Sequence, residues 1–172
     1  MKTLHPLILT ARIADPDLEP FDELRKQHFP PDRNFLRAHL TMFHRLPGEK
    51  VGQILNELKR TAVDHSAIVA DVAGIRHLGA GVAFVIVASE LLHVHTELRS
   101  AFMPWLGGQD MQKWQPHITV QNKVSRLLAD TLHQELSNAF EPRRIVIEGM
   151  DLWKYLGGPW QLEQTVLFGT CP

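Results

Sequence analysis

The chain has 172 residues, 44% of them hydrophobic, with 18 Lys plus Arg against 19 Asp plus Glu and a formal net charge of -1. That length and apolar content suffice for one core without staples, and the charge balance excludes a broad cationic surface for tracking nucleic-acid backbones while leaving room for one local phosphate site. A single cysteine, Cys171, excludes an intramolecular disulfide and a cysteine-based metal site and suits a reducing compartment.

Read in order, His5 to Ile13 is predicted as a strand, broken by Asp15-Pro16-Asp17. Leu18 to His28 follows as a helix with Phe21, Leu24 and Arg25 at helical spacing, closed by Phe29-Pro30-Pro31-Asp32. Arg37 to Arg45 is the next strand, ended by Leu46-Pro47-Gly48. Val51 to Val63 reads as an amphipathic helix through Val51, Ile54, Leu55 and Leu58. Ala67 to Gly74 and Gly81 to Ser89 are expected as two strands lying side by side, the second almost continuously apolar and hence buried.

Leu91 to Leu106 is predicted as a helix ended by Gly107-Gly108, and Gln115 to Lys123 as a strand. Arg126 to Phe140 is a further helix, and Arg144 to Tyr155 and Gln161 to Phe168 finish the chain as a hairpin turning at Gly157-Gly158-Pro159. This mixture predicts an α+β fold, and the lack of a linker predicts one bilobal domain over residues 1–172. The apolar stretch at the start is too short for a signal peptide, and no run approaches the ~20 apolar residues of a membrane span. A soluble, cytoplasmic protein is therefore expected.

Two of these strands repeat one chemical phrase. Arg37 to Arg45 reads Arg-Ala-His-Leu-Thr-Met-Phe-His-Arg, and Gln115 to Lys123 reads Gln-Pro-His-Ile-Thr-Val-Gln-Asn-Lys. Side chains alternate along a strand, which puts His39, Thr41, Phe43 and Arg45 on one face with Leu40 and Met42 behind them. Likewise His117, Thr119, Gln121 and Lys123 share a face, backed by Ile118 and Val120. Each row then carries an imidazole, a hydroxyl and, at its far end, a cation. Facing one cleft, the rows supply two proton-transfer groups around an anion site.

With both His-x-Thr strands placed, the chain resembles the 2H phosphoesterase superfamily, which includes the 2'-5' RNA ligase-like and cyclic nucleotide phosphodiesterase proteins. The resemblance rests on His39-Leu40-Thr41-Met42, on His117-Ile118-Thr119-Val120 with Pro116 before it, and on the Gly157-Gly158-Pro159 hairpin. It implies two pseudo-symmetric lobes of antiparallel sheet with helices outside, and a central cleft carrying one motif from each lobe. It further implies metal-independent chemistry, with no cofactor, at the phosphodiester of a 2',3'-cyclic or related 2'-linked ribose, with hydrolysis as the leading reading. The near-neutral charge favours a small nucleotide or RNA 3' terminus as substrate, and neither a protein partner nor a membrane is expected. His39 and His117 would be the catalytic pair, and Thr41 and Thr119 the hydroxyls holding the phosphate. Met42 stands where the family commonly has leucine, an exchange of one apolar residue for another.

The chemistry suits the residues. Opening a cyclic phosphodiester removes a proton from the nucleophile on one side of phosphorus and supplies one to the leaving ribose oxygen on the other. Imidazoles of reference pKa ~6.5 can do both. The threonines lie about 6.6 Å further along each strand, within reach of the non-bridging oxygens. Near-symmetry leaves the acid and base roles unassigned. Phe43, Arg45, Gln121 and Lys123 are the further candidate contacts.

Each of these residues also has a bland reading. A lone strand histidine is commonly structural, threonine favours strands anyway, and Arg45 and Lys123 are ordinarily solvated. His93 and His95, two apart on a helix, do not share a face and are expected at the surface rather than on a metal. Trp105, Trp114, Trp153, Tyr155 and Trp160 are candidates for stacking on a base or for packing. A nucleotide- or RNA-end-binding module on the same fold, and RNA 2'-5' ligation at the same site, are the alternative functions.

Overall fold

The computed structural model describes residues 5–169, so Cys171 lies outside the described residues. Its elements run β1 (Leu7–Ile13), α1 (Asp15–His28), β2 (Leu40–Leu46), α2 (Val51–Val63), β3 (Ile68–His77) and β4 (Val82–Val87). They continue as α3 (Ser89–Phe102), the single turn α4 (Gly108–Met111), β5 (His117–Gln121), α5 (Arg126–Ala139), β6 (Arg143–Tyr155) and β7 (Trp160–Leu167).

The strands form one antiparallel sheet in the order β2-β1-β6-β3-β4-β5, with β7 pairing β6 off that path. The order is palindromic. Exchanging β1 with β4, β2 with β5 and β3 with β6 reproduces the same path reversed, so β1-α1-β2-α2-β3 and β4-α3-α4-β5-α5-β6 are two related halves. Each half gives its third strand to the other, since β6 pairs β1 and β3 pairs β4. The result is the expected α+β architecture, built as two wings of one sheet that meet where β3 pairs β6. The motif strands β2 and β5, at opposite ends of the path, pack against each other without ladder bonds.

Core residues follow the strand and helix periods. Leu7, Leu9, Leu40, Leu46, Val82, Ile118, Ile147 and Leu152 are at most 1% exposed, beneath Phe21 of α1, Ile54 and Leu58 of α2 and Leu98 and Phe102 of α3. Phe21 meets Phe84 of β4 edge-on at 5.1 Å, a geometry that adds about 0.5–1.5 kcal/mol to simple burial.

Several boundaries shift by one to four residues from the sequence expectation, among them the starts of both motif strands, which begin at Leu40 and His117 rather than Arg37 and Gln115. The Asp15-Pro16-Asp17 break is itself the first turn of α1, where proline lacks only an N–H that needs no helical partner and acidic residues favour the positive end of the helix. Helix α3 stops at Phe102 rather than reaching Leu106, because Pro104 cannot continue the hydrogen-bond ladder and a short 3-10 turn follows. His77, three residues past the expected end, closes β3.

The motif strands also break strict alternation, in matching places. In β2, Thr41 pairs Thr10 but Leu9 pairs Phe43; in β5, Thr119 pairs Ala83 but Val82 pairs Gln121. One extra residue thus sits on each motif strand just after its threonine, the signature of a β-bulge. Consecutive residues are consequently buried, Met42 with Phe43 and Val120 with Gln121. The face that follows the threonine in β2 belongs to His44.

Candidate active site

His39 is half-buried immediately before β2, and α1 holds the segment leading to it. Buried Asp22 accepts the Ala38 amide at 2.8 Å, while Arg25 donates to Asn34 Oδ1 at 2.9 Å and the Leu36 carbonyl at 3.1 Å. His39 Nδ1 donates to the Arg37 carbonyl at 2.8 Å, and its ring lies against Trp160 at 4.8 Å. His117, the first residue of β5, repeats the lock, with Nδ1 donating to the Gln115 carbonyl at 2.7 Å. A carbonyl only accepts, so both rings carry their proton on Nδ1 and leave Nε2 as the free nitrogen.

Both Nε2 atoms and both threonine hydroxyls lack partners among the described residues. They border one cleft of about 230 Å³, lined by Ile8, His39, Thr41, His44, His117, Thr119 and Trp160. The threonine carbonyls are braced from opposite halves of the chain. Trp114 Nε1 donates to the Thr41 carbonyl at 3.0 Å, and Arg25 Nη1 to the Thr119 carbonyl at 3.4 Å.

Burial is the main cause of the pKa shifts. Desolvation pulls His39 down to about 4, helped by the nearby Arg25, His117 and His44 and opposed by its backbone bond. His117 is lowered for the same leading reason, with Arg76 and His44 adding to it. Both rings are therefore neutral near pH 7 in the free cleft. Desolvation lowers Arg25 to about 10, which leaves it a cation.

His44 reaches the cleft because of the bulge. Its Nδ1 donates to Asp110 of α4 at 3.0 Å. The same carboxylate accepts the His44 amide at 2.8 Å and the Arg45 amide at 2.9 Å. These bonds hold buried Asp110 below the usual carboxylate range despite desolvation, which opposes them. Alternation along an unbroken strand placed His44 on the wrong face, and nothing local links it to a carboxylate 66 positions away.

The further candidate contacts do not converge on this cleft. Phe43 is fully buried, stacked on His95 at 4.6 Å and edge-on to Phe102 at 5.4 Å. Gln121 is 5% exposed and buried, its Oε1 without a partner. Arg45 is exposed beside a neighbouring depression with Tyr155, and Lys123 is exposed beyond β5 at φ 60. The bulges explain Phe43 and Gln121, because each reverses the face of the residues just after its threonine. Arg45 follows a second register shift, between Leu7 and Leu9 of the partner strand, and Lys123 lies past the end of β5. His95 also departs from expectation. It is 4% exposed, lies stacked between Phe43 and Trp114 and donates from Nε2 to the Met42 carbonyl at 3.1 Å. His93 is exposed. Among the described residues, no group of three or more His, Cys, Asp or Glu is placed to share a metal ion.

Residues 13–159 match the model of the 2'-5' RNA ligase superfamily. The chain belongs to that superfamily. The same fold recurs in TT0787 of Thermus thermophilus, with a TM-score of 0.68 at 16% identity over 95% of this chain and 98% of that one. It recurs in E. coli LigT complexed with 3'-AMP, with a TM-score of 0.64 at 16% identity, covering 96% and 99% of the two chains. A structure described as a phosphoesterase gives 0.65 at 17% identity, covering 97% and 100%. No curated protein matches at a significant level.

Two further concavities flank the cleft of this 2'-5' RNA ligase superfamily member. On the His39 side lies an aromatic groove of about 260 Å³ bordered by Phe35, Trp153 and Trp160. Trp153 is fixed by donation from Nε1 to Thr10 Oγ1 at 2.9 Å. On the His117 side lies a polar cleft of about 350 Å³ bordered by His44, Arg76, Lys113 and Gln115. Among the described residues no helix is long and apolar enough to cross a membrane.

Proposed function

We propose that this protein is a metal-independent hydrolase that opens a 2',3'-cyclic phosphate, or a related 2'-linked ribose phosphodiester, on a nucleotide or RNA terminus. The observation that carries the reading is the matched pair of imidazoles. His39 and His117 have the same Nδ1-to-carbonyl lock and a free Nε2, and they border one cleft with two unpartnered threonine hydroxyls. A binding module would not need two proton-transfer groups held alike.

In the proposed reaction, one neutral Nε2 takes a proton from water as its oxygen attacks phosphorus. The other imidazole, protonated, gives its proton to the departing ribose oxygen as the P–O bond breaks, leaving a phosphomonoester. The substrate's negative charge favours the single protonated ring that this sequence needs. Thr41 and Thr119 donate to the non-bridging oxygens, where charge accumulates. Trp153, Trp160 and Phe35 offer a face for the nucleobase. E. coli LigT complexed with 3'-AMP, NADP+ and ATP supports the nucleotide class. The site draws on both halves of the sheet, which supports one functional unit, and the lone cysteine is consistent with a cytoplasmic setting.

The test is hydrolysis of a panel of 2',3'-cyclic nucleotides and a cyclic-phosphate-ended oligonucleotide, in chelator, with the product phosphate located by chromatography. Wild type should turn over at least one member, and His39→Ala and His117→Ala should each lose about 100- to 10,000-fold. Activity within about tenfold of wild type in either variant would overturn the two-histidine assignment. End joining in place of ring opening would move the reading to ligation at the same site.

A further inference from the structure

The polar cleft on the His117 side has a charge distribution that the two-histidine reaction does not use. Arg76 is half-buried on β3 and Lys113 exposed just before β5, and neither makes an ion pair among the described residues. By contrast, the cations bordering the aromatic groove are all neutralised. Arg12 pairs with Glu148 and Asp151, and Arg37 with Asp15, Glu19 and Asp22.

Among the described residues, the one carboxylate bordering the polar cleft is Asp110, which is 7% exposed and engaged by three N–H groups from His44 and Arg45. Its charge is spent inward, fixing the His44 ring with Nδ1 protonated and Nε2 unpartnered. His44 also borders the catalytic cleft, so the two spaces share a wall formed by Thr41, His44 and His117. What remains exposed toward a ligand is a guanidinium, an ammonium and a third positioned imidazole.

We infer that this cleft is a second phosphate subsite, formed by Arg76, Lys113 and the Asp110-held His44, and that the substrate carries a 5' phosphate on the nucleotide being opened. The inference rests on the proposed reaction at His39 and His117. A phosphate on the 5' oxygen of a terminal nucleotide is either a free 5' monoester or the internucleotide diester of a chain. The shared chemistry is a phosphate one ribose away from the reacting phosphorus. An unpaired arginine suits it, presenting several N–H donors in a fixed fork. In this arrangement the base takes the aromatic groove beside His39 and the second phosphate the opposite side, so one substrate spans all three spaces.

The experiment is calorimetric binding of adenosine 3'-monophosphate, adenosine 3',5'-bisphosphate and a 3'-phosphorylated adenosine dinucleotide to the wild-type chain. It is repeated with Arg76→Ala, Arg76→Lys and the Arg76→Ala/Lys113→Ala double variant, each checked for native circular dichroism. The bisphosphate should bind at least about tenfold tighter than the monophosphate, with a steeper salt dependence. The double variant should cut that preference below about threefold, and Arg76→Lys should restore part of it. An equal gain for the dinucleotide identifies a chain phosphate, and a gain for the bisphosphate alone a free 5' monoester; either supports the subsite. No preference in wild type, or the full preference in the double variant, overturns it. If cyclic substrates are not turned over while the preference holds, the hydrolase reading falls and the subsite stands. Turnover without preference does the reverse.

Discussion

Each of the three imidazoles bordering the cleft is held through Nδ1, two by backbone carbonyls two residues upstream and one by a carboxylate. Each of these bonds puts the ring proton on Nδ1 and leaves Nε2 free. Because burial lowers both His39 and His117 from their ordinary value, kcat/KM, which reports the free enzyme, should have its alkaline limb below about pH 6.5, where the required protonated ring is lost. The kcat limb should lie higher, since a bound phosphate favours the imidazolium. Initial rates from pH 4 to 8 check this, and a kcat/KM alkaline limb above about pH 7 would count against buried, depressed imidazoles. The His39 and His117 pair and their threonines were legible because the phrase occurs twice in similar apolar settings. His44 was not, because its partner Asp110 is brought to it by tertiary contact alone.

At the level of elements, the bulges in β2 and β5 decide which side chains border the cleft. Gly81 marks what the second bulge requires. A Cβ there would overlap the carbonyl oxygen of Gln121, because β5 swells toward the start of β4 at that point. Gly81→Ala should therefore cost about 3 kcal/mol, the upper part of the range for overpacking, and lower activity by shifting the strand that begins with His117. Gly74→Ala, with open space around its Cβ, is the control and should lose far less. Urea denaturation of both variants measures the contrast, and equal stabilities would mean that β5 accommodates the methyl without moving. Sequence periodicity located every strand and the repeated phrase within two of them. It could not show the bulges, since Met42-Phe43 and Val120-Gln121 read as ordinary strand until a partner strand fixes the register.

Across the whole molecule, the palindromic strand order brings the two ends of the sheet path together, and the halves hold each other's motifs in place through Trp114 and Arg25. Buried histidines make that assembly sensitive to acid. Desolvation lowers His39 and His95 each to about 4, so between that value and about 6.5 the unfolded chain binds protons that the folded chain refuses. Their neutral burial is fully compatible with folding above about pH 6.5, and stability should fall as pH drops from there toward 4. The urea midpoint should decline steadily from pH 7 to pH 5, and less steeply in His95→Gln, which keeps a donor for the Met42 carbonyl. A midpoint that is flat or rises on acidification would sink the prediction. By itself the sequence determined the α+β class, the order of elements, the duplicated histidine and threonine phrase and the family resemblance, because all of these are local patterns or repeats of one. The tertiary structure alone decided that His44 joins the cleft, that Phe43 and Gln121 leave it, and that His95 is core. Each of those outcomes depends on register between strands and on contacts between distant segments, which no local pattern of residues encodes.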